Sequence, residues 1–382
     1  MKILHIIPNL RKGGAERLVI DIVRALSANQ GVQMKLILFE NKIEYHVDDL
    51  LSRIEIVPSR VRLSVLGKNT FEIEKLQQAI ETFNPEIIHT HLFEAEIISR
   101  SCYYPKAKWF SHGHDRMRPF NNLKLSSFVN KRKLTDYFER RYLFQRYKIN
   151  SGSHFIAISD DIETFMKVVL PKEIGNIHLL PNAINTKRFE NQGSVASKLH
   201  GSPFKLVSIG RMDENKNHQF LIDCIQDLKA LNLDVNLTII GEGDQRGYLE
   251  QKIKKINLYS DISLVGSIEN VEEYLWQSDI YVHSAISEGF GLTLIEAMAA
   301  GLPVITLDGG GNRDVIEEGK NGFLIEEENV KCFVDKILEL INNPDLYRNM
   351  SMYSTSYAQK FDIVPYVNNL LELYRNKSLC AE

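Results

Sequence analysis

Apolar runs of strand length alternate with amphipathic helical stretches along most of this 382-residue chain, a rhythm that builds parallel sheets from βαβ units. In the first half, the runs at 2–7, 33–39, 54–57, 87–91, 108–112 and 154–158 read as strands, with helices near 14–28, 71–83, 92–101 and 159–169. A second series follows the polar stretch around 185–202, with strands at 205–209, 236–240, 262–265, 280–283, 304–307 and 322–325. Helices are expected between these strands, and three more close the chain at about 329–342, 345–359 and 363–376. No short repeat or low-complexity tract breaks the series. The pattern predicts an α/β protein of two doubly wound, Rossmann-like domains joined near residue 190, and ligands in such folds bind beyond the carboxyl ends of the strands.

Composition narrows the function more than the fold. A net charge of -3 argues against a general nucleic-acid binder. The four cysteines, Cys102, Cys224, Cys332 and Cys380, form no Cys-x-x-Cys pair, which fits a reducing compartment and disfavours zinc or a disulfide framework. No apolar stretch is long enough for a signal peptide or a membrane-spanning helix. A cytoplasmic protein is expected.

The chemistry gathers where predicted strands end. Glu288 and Glu296 stand eight residues apart across a turn containing Gly289 and Gly291. Helix formers occupy 292–300, which puts Glu296 in the second helical turn. Glycines there let the backbone approach a ligand, and the amides of Phe290, Gly291 and Leu292 lie at the positive end of the helix dipole. Such a turn suits an elongated, hydroxyl-rich anion. At the end of the strand at 205–209, Gly210 releases the chain just before Arg211 and Lys216, two cations able to clamp a diphosphate. Gly13 and Gly14 open the first helix in the same manner, with Gly14 the better candidate for ligand contact.

Histidines mark two further strand ends, His89 with His91 and His112 with His114. His-x-His directs both rings to one side only while the strand continues, so no metal site is expected there; Asp115 could instead orient His114. Between 116 and 148, ten lysines and arginines face only Asp136 and Glu139, with seven aromatic residues interleaved. A basic, aromatic segment of this kind suits an anionic membrane surface or a lipid-diphosphate acceptor.

Taken together, the Glu-x7-Glu stretch resembles the signature of retaining glycosyltransferases of the GT-B fold, in particular glycosyltransferase family 4. The Gly-Gly-Ala-Glu turn at 13–16 and the Gly-Arg…Lys segment at 210–216 are similar to further motifs of that family, in the same order. The resemblance implies a GT-B fold, two Rossmann-like domains facing an interdomain cleft. An acceptor-side domain would span 1–190, with the last helix, 363–382, packing back on it, and a nucleotide-sugar domain would span 191–362. It also implies metal-independent, retaining transfer from a UDP- or GDP-linked sugar to a saccharide or lipid-linked acceptor, with no cofactor.

By that resemblance, Arg211 and Lys216 stabilise the leaving diphosphate, Glu288 holds the donor sugar and Glu296 the ribose. Gly210, Gly241, Ser267 and Ile268 line the nucleotide, and one of His112 and His114 lies beside the reacting centre. Asn182-Ala183-Ile184-Asn185 departs from the family's hinge motif at two positions. Capsule, exopolysaccharide or lipopolysaccharide assembly at the inner face of the membrane is the expected setting. A nucleotide-sugar epimerase of the same fold, or a binding protein without catalysis, is the alternative. No Asp-x-Asp is present to bridge a metal to a diphosphate.

Overall fold

The computed structural model describes residues 1–64, 67–120, 131–150, 152–190 and 203–375. The chain divides into two compact units, Met1–Asn182 with the segment from Ile363, and Ala183–Asp362. In the first, the elements run β1 (Lys2–Ile7), α1 (Gly14–Ser27), β2 (Gln33–Leu38), β3 (Ile54–Ile56), β4 (Arg60–Arg62), β5 (Thr70–Glu72), α2 (Glu74–Phe83), β6 (Ile87–His91) and α3 (Phe93–Ser99). Then follow β7 (Lys108–Gly113), α4 (Lys131–Tyr147), β8 (Ser153–Ala157), α5 (Asp160–Val169) and β9 (Ile177–Leu179).

Seven of these strands form one sheet in the order β3-β2-β1-β6-β7-β8-β9, and every pairing in it is parallel. Its central strands are buried on both faces, which explains why they read as continuous apolar runs rather than alternating ones. The short β4 and β5 pair as a separate antiparallel hairpin. Neither the hairpin nor β9 is legible as an element in the sequence. Three residues are too few to establish a period of two.

The second unit holds α6 (Thr186–Phe189), β10 (Phe204–Ile209), α7 (His218–Ala230), β11 (Val235–Ile240), α8 (Arg246–Lys255), β12 (Ile262–Gly266), α9 (Val271–Trp276), β13 (Ile280–His283), α10 (Leu292–Ala299), β14 (Val304–Leu307) and β15 (Gly322–Ile325). Two helices follow, α11 (Val330–Asn342) and α12 (Pro344–Ala358). Asn329 caps the first by accepting from the Cys332 amide, and Asn343 caps the second ahead of Pro344. The parallel sheet runs β12-β11-β10-β13-β14-β15, the 3-2-1-4-5-6 order of dinucleotide-binding folds. The last described helix, α13 (Ile363–Arg375), belongs to the first unit and packs on α1.

The first unit ends at Asn182 rather than near 190. Residues 184–189 are tied into the second unit by short polar contacts. The Ile184 amide donates to the Phe361 carbonyl at 2.9 Å, the Thr186 hydroxyl to Asp362 at 2.6 Å, and the Trp276 indole to the Phe189 carbonyl at 2.8 Å. Arg188 pairs with Glu272 at 2.8 Å.

Each sheet reverses its strand order once, between β1 and β6 in the first unit and between β10 and β13 in the second. Those switch points are where the chain leaves strand ends in opposite directions and a crevice opens.

Candidate functional site

In the second unit, the switch point brings together residues that are far apart in the chain. Lys216, after β10, places its ammonium 2.5 Å from the Glu288 carboxylate, and His283, the last residue of β13, sets Nε2 3.2 Å from the same oxygen. Burial alone would raise the Glu288 carboxyl, but the charge of Lys216 and the hydrogen bond from His283 outweigh it and hold the group well below the usual carboxylate range. Burial likewise pushes the His283 imidazole down against the pull of Glu288. The residues thus form an ammonium, a carboxylate and a neutral ring donating from Nε2.

The backbone fixes this arrangement. The Ile286 amide donates to the Asn215 carbonyl at 2.9 Å, the Asn215 side chain to the Ser287 carbonyl at 2.8 Å, and the Ser284 hydroxyl to the Lys216 carbonyl at 2.8 Å. The Glu288 amide reaches the Gly309 carbonyl at 2.7 Å, and the Gly311 amide the Glu288 carbonyl at 2.9 Å. Asp213 receives the Lys216 amide at 3.0 Å and the guanidinium of Arg211 at 2.8 Å. The Arg211 side chain is 77% exposed, so its fork is available to reorient toward a ligand.

Gly291 caps α10 with φ at 88°, in the left-handed region. Phe290 is buried against Phe361, whereas Glu296 is half-buried in the second turn of α10. Gly241 packs against the loop that follows β10. With φ at 145°, it lies so close to the Gly210 carbonyl that a Cβ would overlap it, so the glycine lets two strand-end loops touch. Ser267, exposed, and Ile268, half-buried, follow β12.

In the first unit, Gly13 gives its amide to the Tyr45 hydroxyl at 2.9 Å, while Gly14 is exposed as the first residue of α1. Parallel pairing sets His5 beside His89, and His91 beside His112. With His114 they make a stack of five imidazoles. Centroids are 4.3 Å apart for His89 and His91 and 4.2 Å for His112 and His114. His5 Nδ1 meets His91 Nε2 at 2.9 Å, and His91 Nδ1 meets His114 Nε2 at 3.0 Å. The Tyr374 hydroxyl, from α13, lies 2.5 Å from His89 Nδ1 and 3.3 Å from His5 Nε2.

Burial drives these rings toward the neutral form, His5 and His114 to about 3 and His89, His91 and His112 well below the usual value. His112 is buried with neither ring nitrogen hydrogen-bonded to a described residue, whereas His114 is half-buried. His114 uses Nε2 on His91, so the proposed orientation by Asp115 gives way to an imidazole partner. His91, His112 and His114 offer nitrogens within 4.8 Å of one another, as do His5, His89 and His91. In both sets a metal would compete with hydrogen bonds that His91 already makes. His112 and His114 are stacked within 12°, which aims their in-plane lone pairs along parallel planes, and His91 already engages both of its nitrogens.

Much of the basic segment has structural partners. Arg146 donates to the carbonyls of Ser101 at 2.7 Å and Cys102 at 2.9 Å, Arg116 pairs with Asp161, and Leu143 and Tyr147 are buried. Arg132, Lys133, Phe138, Arg141 and Lys148 are exposed. Lys124 and Phe128 lie outside the described residues. No helix among the described residues is long and apolar enough to cross a membrane.

His5, Tyr374 and His283 had no motif to announce them. Their only signal was position, His5 and His283 near strand ends and Tyr374 one residue before the end of the last described helix.

Two family models match the chain, "Glycosyltransferase Family 4" over residues 12–188 and "Glycosyl transferases group 1" over 192–357. A putative glycosyltransferase, EpsF of Bacillus subtilis, is 26% identical over 322 residues, covering 80% of this chain and 79% of its own. The UDP-Gal:alpha-D-GlcNAc-diphosphoundecaprenol alpha-1,3-galactosyltransferase of Escherichia coli is 23% identical over 388 residues, covering 98% and 96%. Among solved structures, Anabaena HepE in complex with UDP-glucose superposes with a TM-score of 0.78 at 20% identity, over 97% of this chain and 98% of that one.

Proposed function

Because the chain belongs to the family 4 glycosyltransferases of GT-B fold, we propose that it transfers a hexose from a UDP-sugar, with retention of anomeric configuration, to a saccharide or lipid-linked acceptor in cell-surface polysaccharide assembly. The observation that carries this reading is the meeting of Lys216, Glu288 and His283 at the switch point of the second unit, next to the amino end of α10. The choice of UDP draws on HepE, crystallised with UDP-glucose, and on the UDP-Gal-dependent galactosyltransferase.

The reaction needs charge neutralised as the sugar–phosphate bond breaks. In this reading, the donor diphosphate draws Lys216 away from Glu288, Arg211 swings from Asp213 to join it, and the amides of Gly291 and Leu292 complete a positive rim. These groups bind the departing diphosphate more tightly than the intact donor, which lowers the barrier. Glu288, freed of its counter-ion and still held by His283, accepts hydrogen bonds from the sugar hydroxyls, and Glu296 takes the ribose. The cations take over the work that a metal–diphosphate bridge performs in Asp-x-Asp enzymes.

A thermal-shift panel of UDP-, GDP- and ADP-sugars tests the donor. UDP-hexoses should raise the melting temperature, since a ligand at 100 times its Kd stabilises by about 2.7 kcal/mol. Stabilisation by the GDP series alone would reject the UDP assignment. The exposed cations and Phe138 of α4 are proposed to rest on anionic lipid near the acceptor. Flotation with phosphatidylglycerol vesicles should recover the protein, and recovery undiminished in an Arg132→Gln, Lys133→Gln, Arg141→Gln variant would dismiss that contact.

A further inference from the structure

The hydrogen-bonded histidines obey a proton count that limits what His114 can present. The links are His89 Nδ1 to the Tyr374 hydroxyl, that hydroxyl to His5 Nε2, His5 Nδ1 to His91 Nε2, and His91 Nδ1 to His114 Nε2. Each link needs one hydrogen. A neutral imidazole carries one N–H and one bare nitrogen, and the tyrosine carries one O–H. The buried rings are neutral, because desolvation disfavours their charged form.

Only two arrangements satisfy all four links. If Tyr374 donates to His89, then His5, His91 and His114 all carry hydrogen on Nε2, and His114 Nδ1 is a bare acceptor. If Tyr374 donates to His5, all three carry it on Nδ1, and His114 Nδ1–H is a donor. The states differ at the buried end as well. In the first, His89 must hold its hydrogen on Nε2; in the second, that nitrogen is bare. His89 Nε2 is buried and has no hydrogen-bond partner among the described residues. An orphaned buried N–H is rarer and costlier than an unsatisfied acceptor, so the second arrangement prevails.

We infer that Tyr374 acts as a positioning residue which, through His5 and His91, locks His114 in the Nδ1–H tautomer and makes it a hydrogen-bond donor to a ligand oxygen rather than a base. The role toward a ligand rests on the function proposed above; the tautomer chain rests on the hydrogen bonds, the neutrality of the buried rings and the unpartnered His89 Nε2. His112 lies outside the chain, since neither of its nitrogens enters a link.

The full-length protein labelled with 15N-histidine, with resonances assigned by single His→Gln variants, provides the test. His5, His89, His91 and His114 should each show a protonated Nδ1 and a bare Nε2. In Tyr374→Phe, His5 loses the hydrogen it accepts, and the His91 and His114 signals should move to mixed tautomers although neither residue is altered. The same variant should lower kcat/KM for a UDP-hexose by about three- to tenfold, the worth of one neutral hydrogen bond. Nε2–H on His114 in the wild type overturns the chain, as does an unchanged His114 spectrum in folded Tyr374→Phe. If that variant does not fold, His5→Phe cuts the next link and is read in the same way. Full activity in His114→Phe, with the expected spectrum in the wild type, overturns the role toward a ligand and leaves the tautomer chain intact.

Discussion

Acidification from about pH 7.5 to about pH 5.5 should destabilise the first unit through the imidazole stack. His5, His89, His91 and His112 are each no more than 1% exposed, and burial lowers each from the ordinary value of 6.5. The charged groups acting on His89 and His91 are other histidines of the stack; no carboxylate offsets the burial. Below pH 6.5, the unfolded chain binds a proton at each of these positions and the folded chain does not, so stability falls as pH falls. Between the two pH values, the loss is about 1.4 kcal/mol per ring, or about 5 kcal/mol for four independent rings. That approaches the whole stability of many domains, about 5–15 kcal/mol.

The two tryptophans make the assay direct, because Trp109 lies on β7 of the first unit and Trp276 on α9 of the second. Urea denaturation of Trp276→Phe, followed by Trp109 fluorescence, should give an unfolding free energy several kcal/mol lower at the acid pH. His112→Phe removes one titrating ring and no hydrogen bond to a described residue, so it should flatten the dependence by about a quarter. A free energy that changes by less than about 1 kcal/mol across the interval would refute the claim that these rings are held neutral.

Other perturbations separate the parts of the second unit. Glu296→Gln should mainly weaken donor binding, and Glu288→Gln mainly lower kcat; steady-state kinetics showing the reverse would mean that the two ends of the donor are assigned backwards. Lys216→Ala should reduce kcat by about 10²–10³, the usual worth of one group aimed at developing negative charge, and a KM effect with kcat intact would remove it from the chemistry. Gly291→Ala must hold a left-handed conformation at φ 88°, which costs about 1–2 kcal/mol and should lower the urea midpoint reported by Trp276 fluorescence. Exhaustive EDTA treatment should leave turnover unchanged; loss that a divalent ion restores would reject metal-independent transfer.

Much of the architecture was already legible along the chain. Both sheets are parallel and their central strands are buried, so these stand out as apolar runs between amphipathic helices, and glycines and charges cluster where strands end. Local chemistry of that kind marked Arg211, Lys216, Glu288 and Glu296. It also marked Gly241, whose close approach to the Gly210 carbonyl no local pattern announced. Among the elements of three residues, β3 was readable as the apolar run at 54–57, whereas β4, β5 and β9 left no period to detect.

Which residues meet was decided only in three dimensions. Lys216 and Glu288 are 72 positions apart, and His5 and Tyr374 are 369 apart, distances over which no pattern of apolar and polar residues carries information. Strand order determines these meetings. The sequence specified a histidine at the end of β6 and of β13, and a lysine and a glutamate in the loops after β10 and β13, but pairing β1 with β6, and β10 with β13, set those ends side by side. Burial then did what no single residue type could, stripping water from His5, His89, His91 and His112, while hydrogen bonds join four imidazoles with Tyr374.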